Sequence, residues 1–395
     1  MNTTPASSYT RALTSVTKLV APLVVAACLA LAAAPASGAT YYWDADGPGV
    51  NDGGSGQWNT QDARFYSLYD GVWAAWPIAG DTVEFRGDAG TVAIADGTEI
   101  SVNQLTFSVA DYRLTGGGLK FVGTNRAIML ARGVTTTFAT SISSDNPSVV
   151  GSVLRLAGPG IFRYGADNLF ADDTVIDLAG GMTLDLAGHT DTVGSLTLTN
   201  GAIRGPGSLG ASSYLLKSGA MDINLIGGGF VTKDTLGEFT LSGNNTYTGA
   251  TTVAAGTLVL TGTNNGTSGT TVNSGGTLWL NGGSIGTGNV LVNSGGLLAG
   301  NGRIATNSLV TVNGGISPGK PDNSDVDVLY SGSQIWGSTG VFNLNINALP
   351  QNGTAGKQWD LIDLGGGTLT IQDNFTLKVL GLSASTGFVS SGSYS

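Results

Sequence analysis

The sequence predicts an all-β fold, a parallel β-helix or β-solenoid with about 20 residues per coil, on three observations. First, four stretches nearly superimpose: residues 251–260 (TTVAAGTLVL), 270–280 (TTVNSGGTLWL), 290–300 (VLVNSGGLLAG) and 309–318 (LVTVNGGISP). Second, their aligned valines, Val253, Val272, Val292 and Val312, stand 19, 20 and 20 residues apart, and a glycine turn follows each of them. Third, only 11% of the chain is charged while 41% is hydrophobic, and it carries 63 glycines. Disordered low-complexity chains lack that aliphatic content, so the glycines read as turns. One such coil cannot bury its own apolar residues, so stability must come from stacking, with like residues in ladders from coil to coil. Val253, Val272, Val292 and Val312 are expected to form one ladder. Leu258 and Leu260, Leu278 and Leu280, then Leu297 and Ile316, are expected to form others.

Taken in order, the chain divides into five parts. Residues 1–39 read as a signal peptide: Arg11 and Lys18 precede an apolar run from Leu19 to Leu31, and Ala36-Ser37-Gly38-Ala39 offers small residues for cleavage after Ala39. A rival reading places a lipidated cysteine at Cys28, after Val25-Ala26-Ala27. With the signal removed after Ala39 the mature chain has no cysteine, which excludes disulfides and thiol chemistry. Residues 40–123 hold four of the seven tryptophans, Trp43, Trp58, Trp73 and Trp76. They read as an aromatic cap over the open end of the solenoid, followed by its first coils. Residues 124–235 continue the coils, and 236–320 carry the clearest repeats. Residues 321–395 keep alternating strands but lose the glycine cadence. The strand pattern that runs to Ser395 reads as a product continuing further, with a membrane barrel, anchor or sorting tail supplied beyond it.

One coil is specific enough to carry a resemblance. Residues 243–258 (GNNTYTGATTVAAGTL) are similar, almost residue for residue, to the autotransporter-associated β-strand repeat, also called the passenger-associated transport repeat. The opening from Trp43-Asp44-Ala45-Asp46 to Phe107 also resembles the N-terminal region of large exported bacterial proteins that carry such repeats. This resemblance implies an exported right-handed parallel β-helix passenger, anchored by an outer-membrane barrel or released from a sorting tail. It implies no catalytic residue, because the family has none in common.

Function classes narrow accordingly. A net charge of −10 without a basic cluster excludes nucleic acid as a partner. No stretch after the signal is apolar enough to cross a membrane as a helix. Gly282-Gly283-Ser284-Ile285-Gly286 fits a nucleophile-elbow pattern and Gly205-Pro206-Gly207-Ser208-Leu209-Gly210 a dinucleotide pattern, but neither opens a helix in this reading. In Gly314-Gly315-Ile316-Ser317-Pro318-Gly319-Lys320, Pro321 replaces the hydroxyl that a phosphate loop needs. His189 is the only histidine, too few for a triad or a zinc site. Asp177 and Asp185, with Asp172, Asp173 and Asp191 nearby, are the best acid/base candidates for a polysaccharide lyase or hydrolase on a β-helix. Asp44 with Asp46, and Asp322 with Asp325 and Asp327, offer oxygens to a hard cation without a known loop spacing. The sequence therefore assigns no catalytic, cofactor or metal residue. It predicts a secreted or cell-surface structural rod for adhesion, matrix building or envelope coverage, with surface glycans or matrix components as partners. A glycan-binding module that stacks sugars on the N-terminal tryptophans is the further alternative.

Overall fold

The computed structural model describes residues 39–48, 52–67, 69, 71–76, 81–145, 153–347 and 354–381. The signal segment, Cys28, Pro77 and the final strand pattern lie outside the described residues. The chain divides into two units at Ala39, and the unit Thr40–Ser395 holds all the strands. Among the described residues there is no helix.

Each coil runs over three faces. In the repeat region, Thr251–Val253 lies on the first face, Gly256–Leu260 on the second and Thr263–Asn264 on the third, after which Gly269–Val272 returns to the first. Stacked coil on coil, these segments make sheets of seventeen strands on the first face and fifteen on the second. The third face is built from a three-stranded and then a six-stranded ladder. Nearly all pairings are parallel, as a chain that always winds the same way requires, and this is the β-solenoid expected from the repeats.

The valine ladder falls in register. Val253 pairs with Val272, Val272 with Val292 and Val292 with Val312, and all four are buried. The same row extends far beyond the repeats, through Val83, Leu105, Ile128, Leu156, Leu178, Leu198, Leu216 and Lys233, and onward to Trp336 and Ile371. Lys233 is the one cation in it. Its side chain is buried, and Nζ donates to the carbonyls of Thr235 and Ala255 at a corner. On the second face Leu258, Leu278, Leu298 and Ile316 form the matching row. Leu298, not Leu297, is the buried member; Leu297 pairs with Thr277 on the outward row. A one-residue slip sends a strand residue to the opposite side, and two adjacent leucines do not announce which points inward.

The Asn-Ser-Gly-Gly corners explain why two glycines come together. Gly275 has φ of +79°, in the left-handed region, and a Cβ there would meet open space. At Gly276 a Cβ would stand 2.4 Å from the carbonyl oxygen of Val253 in the coil below. One glycine turns the chain and the next lets neighbouring coils approach.

The first coils differ. Thr91–Val102, Arg113–Phe121 and Thr135–Ser144 are long strands that bend across a corner, with register shifts at Ile94/Glu99 and Thr140/Ser141. Their core is aromatic: Phe85 stacks on Phe107 at 4.6 Å, Phe107 meets Phe138 edge-on at 5.6 Å, and Phe138 stacks on Phe162 at 4.1 Å. Above them Thr40–Trp43, Ala63–Ser67 and Trp73–Ala75 pair antiparallel, the departure from the solenoid pattern that ends its stack. Trp43, Trp58, Phe65 and Trp76 are fully buried beneath this lid with ring centroids 5.0–6.2 Å apart. At the other end the sheets pass residue 320 without a break: Val312 pairs with Trp336, Ile316 with Phe342, and Phe342 with Leu377.

Candidate binding surface

Because inward positions are committed to stacking, function must reside in the outward rows. On the first face the row between the two buried ones reads Arg155, Asp177, Thr197, Leu215, Thr232, Thr252, Thr271, Leu291 and Thr311 in successive register. Threonine hydroxyls dominate it. At its N-terminal part the surface hollows into a groove of about 660 Å³, lined among others by Gln104, Arg126, Met129, Arg155, Asp177, Thr199 and Lys217. Stacking assembles this groove from residues far apart in sequence. Thr199 donates from Oγ1 to Asp177 Oδ1 at 2.9 Å, and Arg155 is the register partner of Asp177. The Arg126 guanidinium is held by the carbonyls of Gly123 at 2.9 Å and Asp145 at 3.1 Å, while Arg155 stands exposed. The groove thus gathers Arg126, Arg155 and Lys217 against Asp177 in a chain whose overall charge is −10.

Residues 231–260 and 255–280 match the passenger-associated-transport-repeat family model, so this part of the solenoid is similar to such repeats. The chain is also 32% identical, over 241 residues, to the adhesin BmaC autotransporter of Brucella suis biovar 1 (strain 1330). That match covers 57% of this chain and 7% of the adhesin, so the chain spans a small fraction of that relative's length. No solved structure matches the chain.

Within this solenoid the acidic candidates are scattered. Asp177 lies on the first face, whereas Asp185 lies on the second, where its Oδ2 accepts from Arg163 Nε at 2.8 Å. Asp191 is fully buried on the third face. Burial pushes its carboxyl up, opposed by the backbone N–H groups of Phe170 and Thr192 that it accepts at 3.0 and 2.8 Å. Asp172 and Asp173 are exposed in a turn. The acid pair proposed for polysaccharide cleavage, Asp177 with Asp185, is therefore not assembled on one face. His189 contacts Asp167 through Nδ1 at 3.0 Å, and the Thr190 N–H and this histidine hold the Asp167 carboxyl below its usual range. This contact joins bends 22 residues apart in neighbouring coils.

The glycine patterns resolve into strands. Gly205–Gly210 runs into Ser208–Ala211, Gly282–Gly286 contains Ser284–Ile285, and the segment before Lys320 is Gly315–Pro318. None supplies the helix N-terminus that its motif needs. Trp43, Trp58 and Trp76 are interior, so those three rings cannot stack on sugars, and the half-buried Trp73 packs on Tyr66 at 5.1 Å. A half-buried indole on an outward row is Trp279, between Val259 and Ala299 on the second face of the repeats. Its outward position follows from the inward ladder expected of Leu278 and Leu280, since alternation sends the residue between them to the other side.

The cation candidates also separate. Asp322 accepts from Ser324 N at 3.0 Å, Asp325 from Lys320 N at 2.6 Å, and Asp327 from Asn301 Nδ2 and Val328 N at 2.8 and 2.9 Å. Each is used locally and they do not converge. Among the described residues, the three acidic side chains that do converge are Asp44, Asp46 and Asp52. Asp52 escaped the sequence reading because no motif spacing ties it to Asp44; the bond from Ala45 N to Gly53 O at 2.8 Å brings the two together. Burial, then the Asp46 carboxylate beside it, pushes Asp44 up to about 6. Tyr112, whose hydroxyl reaches the Arg86 and Asp88 carbonyls below this loop, is pushed by burial to about 12.

Proposed function

We propose that this chain is an exported segment of a bacterial surface adhesin, a rod whose coils are spent on stacking and whose outward rows bind. The likeness to an adhesin over 241 residues carries this reading. Export follows from the signal-like segment, and cleavage after Ala39 would leave the unit that begins at Thr40 whole. The first-face groove is the contact point. Arg155 and Lys217 beside threonine hydroxyls suit an acidic, hydroxyl-rich ligand, and an acidic glycan of the cell surface or matrix is the class of partner that offers both. Many weak contacts along a stiff rod then add through multivalency.

The test is retention. Beads coated with the purified chain should hold immobilised acidic polysaccharides such as hyaluronan or heparin above bare beads, with a steep loss as salt rises. The double variant Arg155→Glu/Lys217→Glu should lower retention by about tenfold, the equivalent of about 1.4 kcal/mol, without moving the thermal midpoint. Retention equal to bare beads would overturn the adhesive reading. Retention undiminished in the variant would remove the groove from it. Release of oligosaccharides that disappears with Asp177→Ala would make the chain an enzyme instead.

A further inference from the structure

We infer that Asp44, Asp46 and Asp52 form a calcium site at the N-terminal cap of the solenoid. The geometry comes first. One carboxylate oxygen from each residue lies within 4.8 Å of the other two. Calcium–oxygen distances are about 2.3–2.6 Å, so oxygens gathered this closely suit one shared ion. Magnesium demands near-ideal octahedral geometry and dehydrates reluctantly, and zinc prefers nitrogen or sulfur donors, which this site does not offer.

The second observation is an unmet polar atom. Asp44 is fully buried, yet its Oδ2 has no hydrogen-bond partner, and its Oδ1 accepts only a long bond of 3.3 Å from Asp46 N. A buried carboxylate in that condition costs several kcal/mol unless an ion or a proton compensates it. Side chains do not supply the charge. Arg64 lines the same depression, but its guanidinium turns to Asp62 at 3.7 Å. Asp46 and Asp52 are exposed, which leaves the ion a path from solvent and room for the waters that complete its shell.

The described residues beside the carboxylates are tied by hydrogen bonds. Ala45 N donates to Gly53 O at 2.8 Å, Trp43 Nε1 to Gly54 O at 3.0 Å, Gly54 N to Asp88 O at 2.7 Å, and Asp88 N to Asp52 O. Gly53, with φ of +86°, passes so near the Tyr112 hydroxyl and the Arg86 carbonyl that a Cβ would stand 2.3 Å from each. Asp52 thus sits beside backbone tied to Asp88 in the following coil, and Asp44 follows the buried Trp43 directly in sequence. Ligands held by a preformed scaffold lose little entropy on binding.

Calorimetric titration of calcium chloride into the chelator-treated full chain tests the site. One saturable event is expected, with a dissociation constant on the order of 10⁻⁴–10⁻³ M, as in extracellular modules. Magnesium should bind more weakly, and the thermal midpoint should rise with calcium. Asp46→Asn and Asp52→Asn, both at exposed positions, should each weaken calcium binding by about tenfold or more while leaving the midpoint in chelator unchanged. Absence of saturable binding up to about 10 mM calcium would show that Asp44 is compensated by a proton alone and overturn the site. Undiminished binding in the Asp46→Asn/Asp52→Asn double variant would overturn it equally. Neither outcome bears on adhesion through the groove.

Discussion

At the scale of the residue, the value of a side chain depends on whether a coil covers it. Val272 and Ile371 occupy the same row on the first face, but Val272 is fully buried between Val253 and Val292, while Ile371 is 56% exposed. Val272→Asp forfeits about 1.5–3 kcal/mol of apolar burial and leaves an unpaired carboxylate in the shared core. A total loss of about 4 kcal/mol or more is expected, against less than about 1 kcal/mol for Ile371→Asp. Chemical denaturation of the two variants beside the parent measures both. Equal losses would mean that the register is wrong. The sequence made Val272 legible because four valines repeat at nearly constant spacing. It did not reveal Lys233 in the same row, since a lysine is expected at the surface and enters here only because a corner offers its ammonium the carbonyls of Thr235 and Ala255. Nor could it choose between Leu297 and Leu298, for which only the pairing with Leu278 decides.

At the scale of the element, a strand of three to five residues carries almost no stability of its own, so the corner between two strands sets how closely the coils stack. The two glycines of one corner separate the contributions. Gly275→Ala adds only the strain of a left-handed residue with a Cβ, about 1–2 kcal/mol, because the space around it is open. Gly276→Ala drives a methyl against the Val253 carbonyl of the preceding coil and should cost more, at least about 3 kcal/mol. Thermal midpoints of the two single variants would rank them, and the reverse order would contradict the assigned roles. Glycine pairs were legible as turns from sequence, but their division of labour depends on the neighbouring coil. The groove was illegible for the same reason. Gln104, Arg155, Asp177 and Lys217 come from four coils of a stack whose steps between register partners run irregularly from 18 to 28 residues, so no window of sequence places Arg155 beside Asp177. The aromatic column of Phe85, Phe107, Phe138 and Phe162 hid in that same irregularity.

For the unit from Thr40 onward as a whole, contacts run almost entirely between neighbouring coils, so a perturbation should weaken with distance along the stack. The cap is the place to test it. Trp58 is fully buried among Trp43, Phe65, Trp76 and Phe85, and Trp58→Ala removes a ring whose loss from a core typically costs about 3–5 kcal/mol. In a globular domain with one cooperative core that cost would be felt everywhere. In this stack the coils at Thr82–Phe85 and Gln104–Phe107, which lean on the cap, should lose amide protection. Those at Thr251–Val253 and Gly269–Val272, many coils away, should exchange at the parent's rate. Hydrogen exchange followed by peptide mass resolves the two regions in one experiment. A graded loss from the N-terminal end would establish nearest-neighbour stacking as the source of stability. Uniform loss across all peptides would mean that the aromatic and aliphatic halves fold as one cooperative unit, and that the cap controls the repeats as well as covering them.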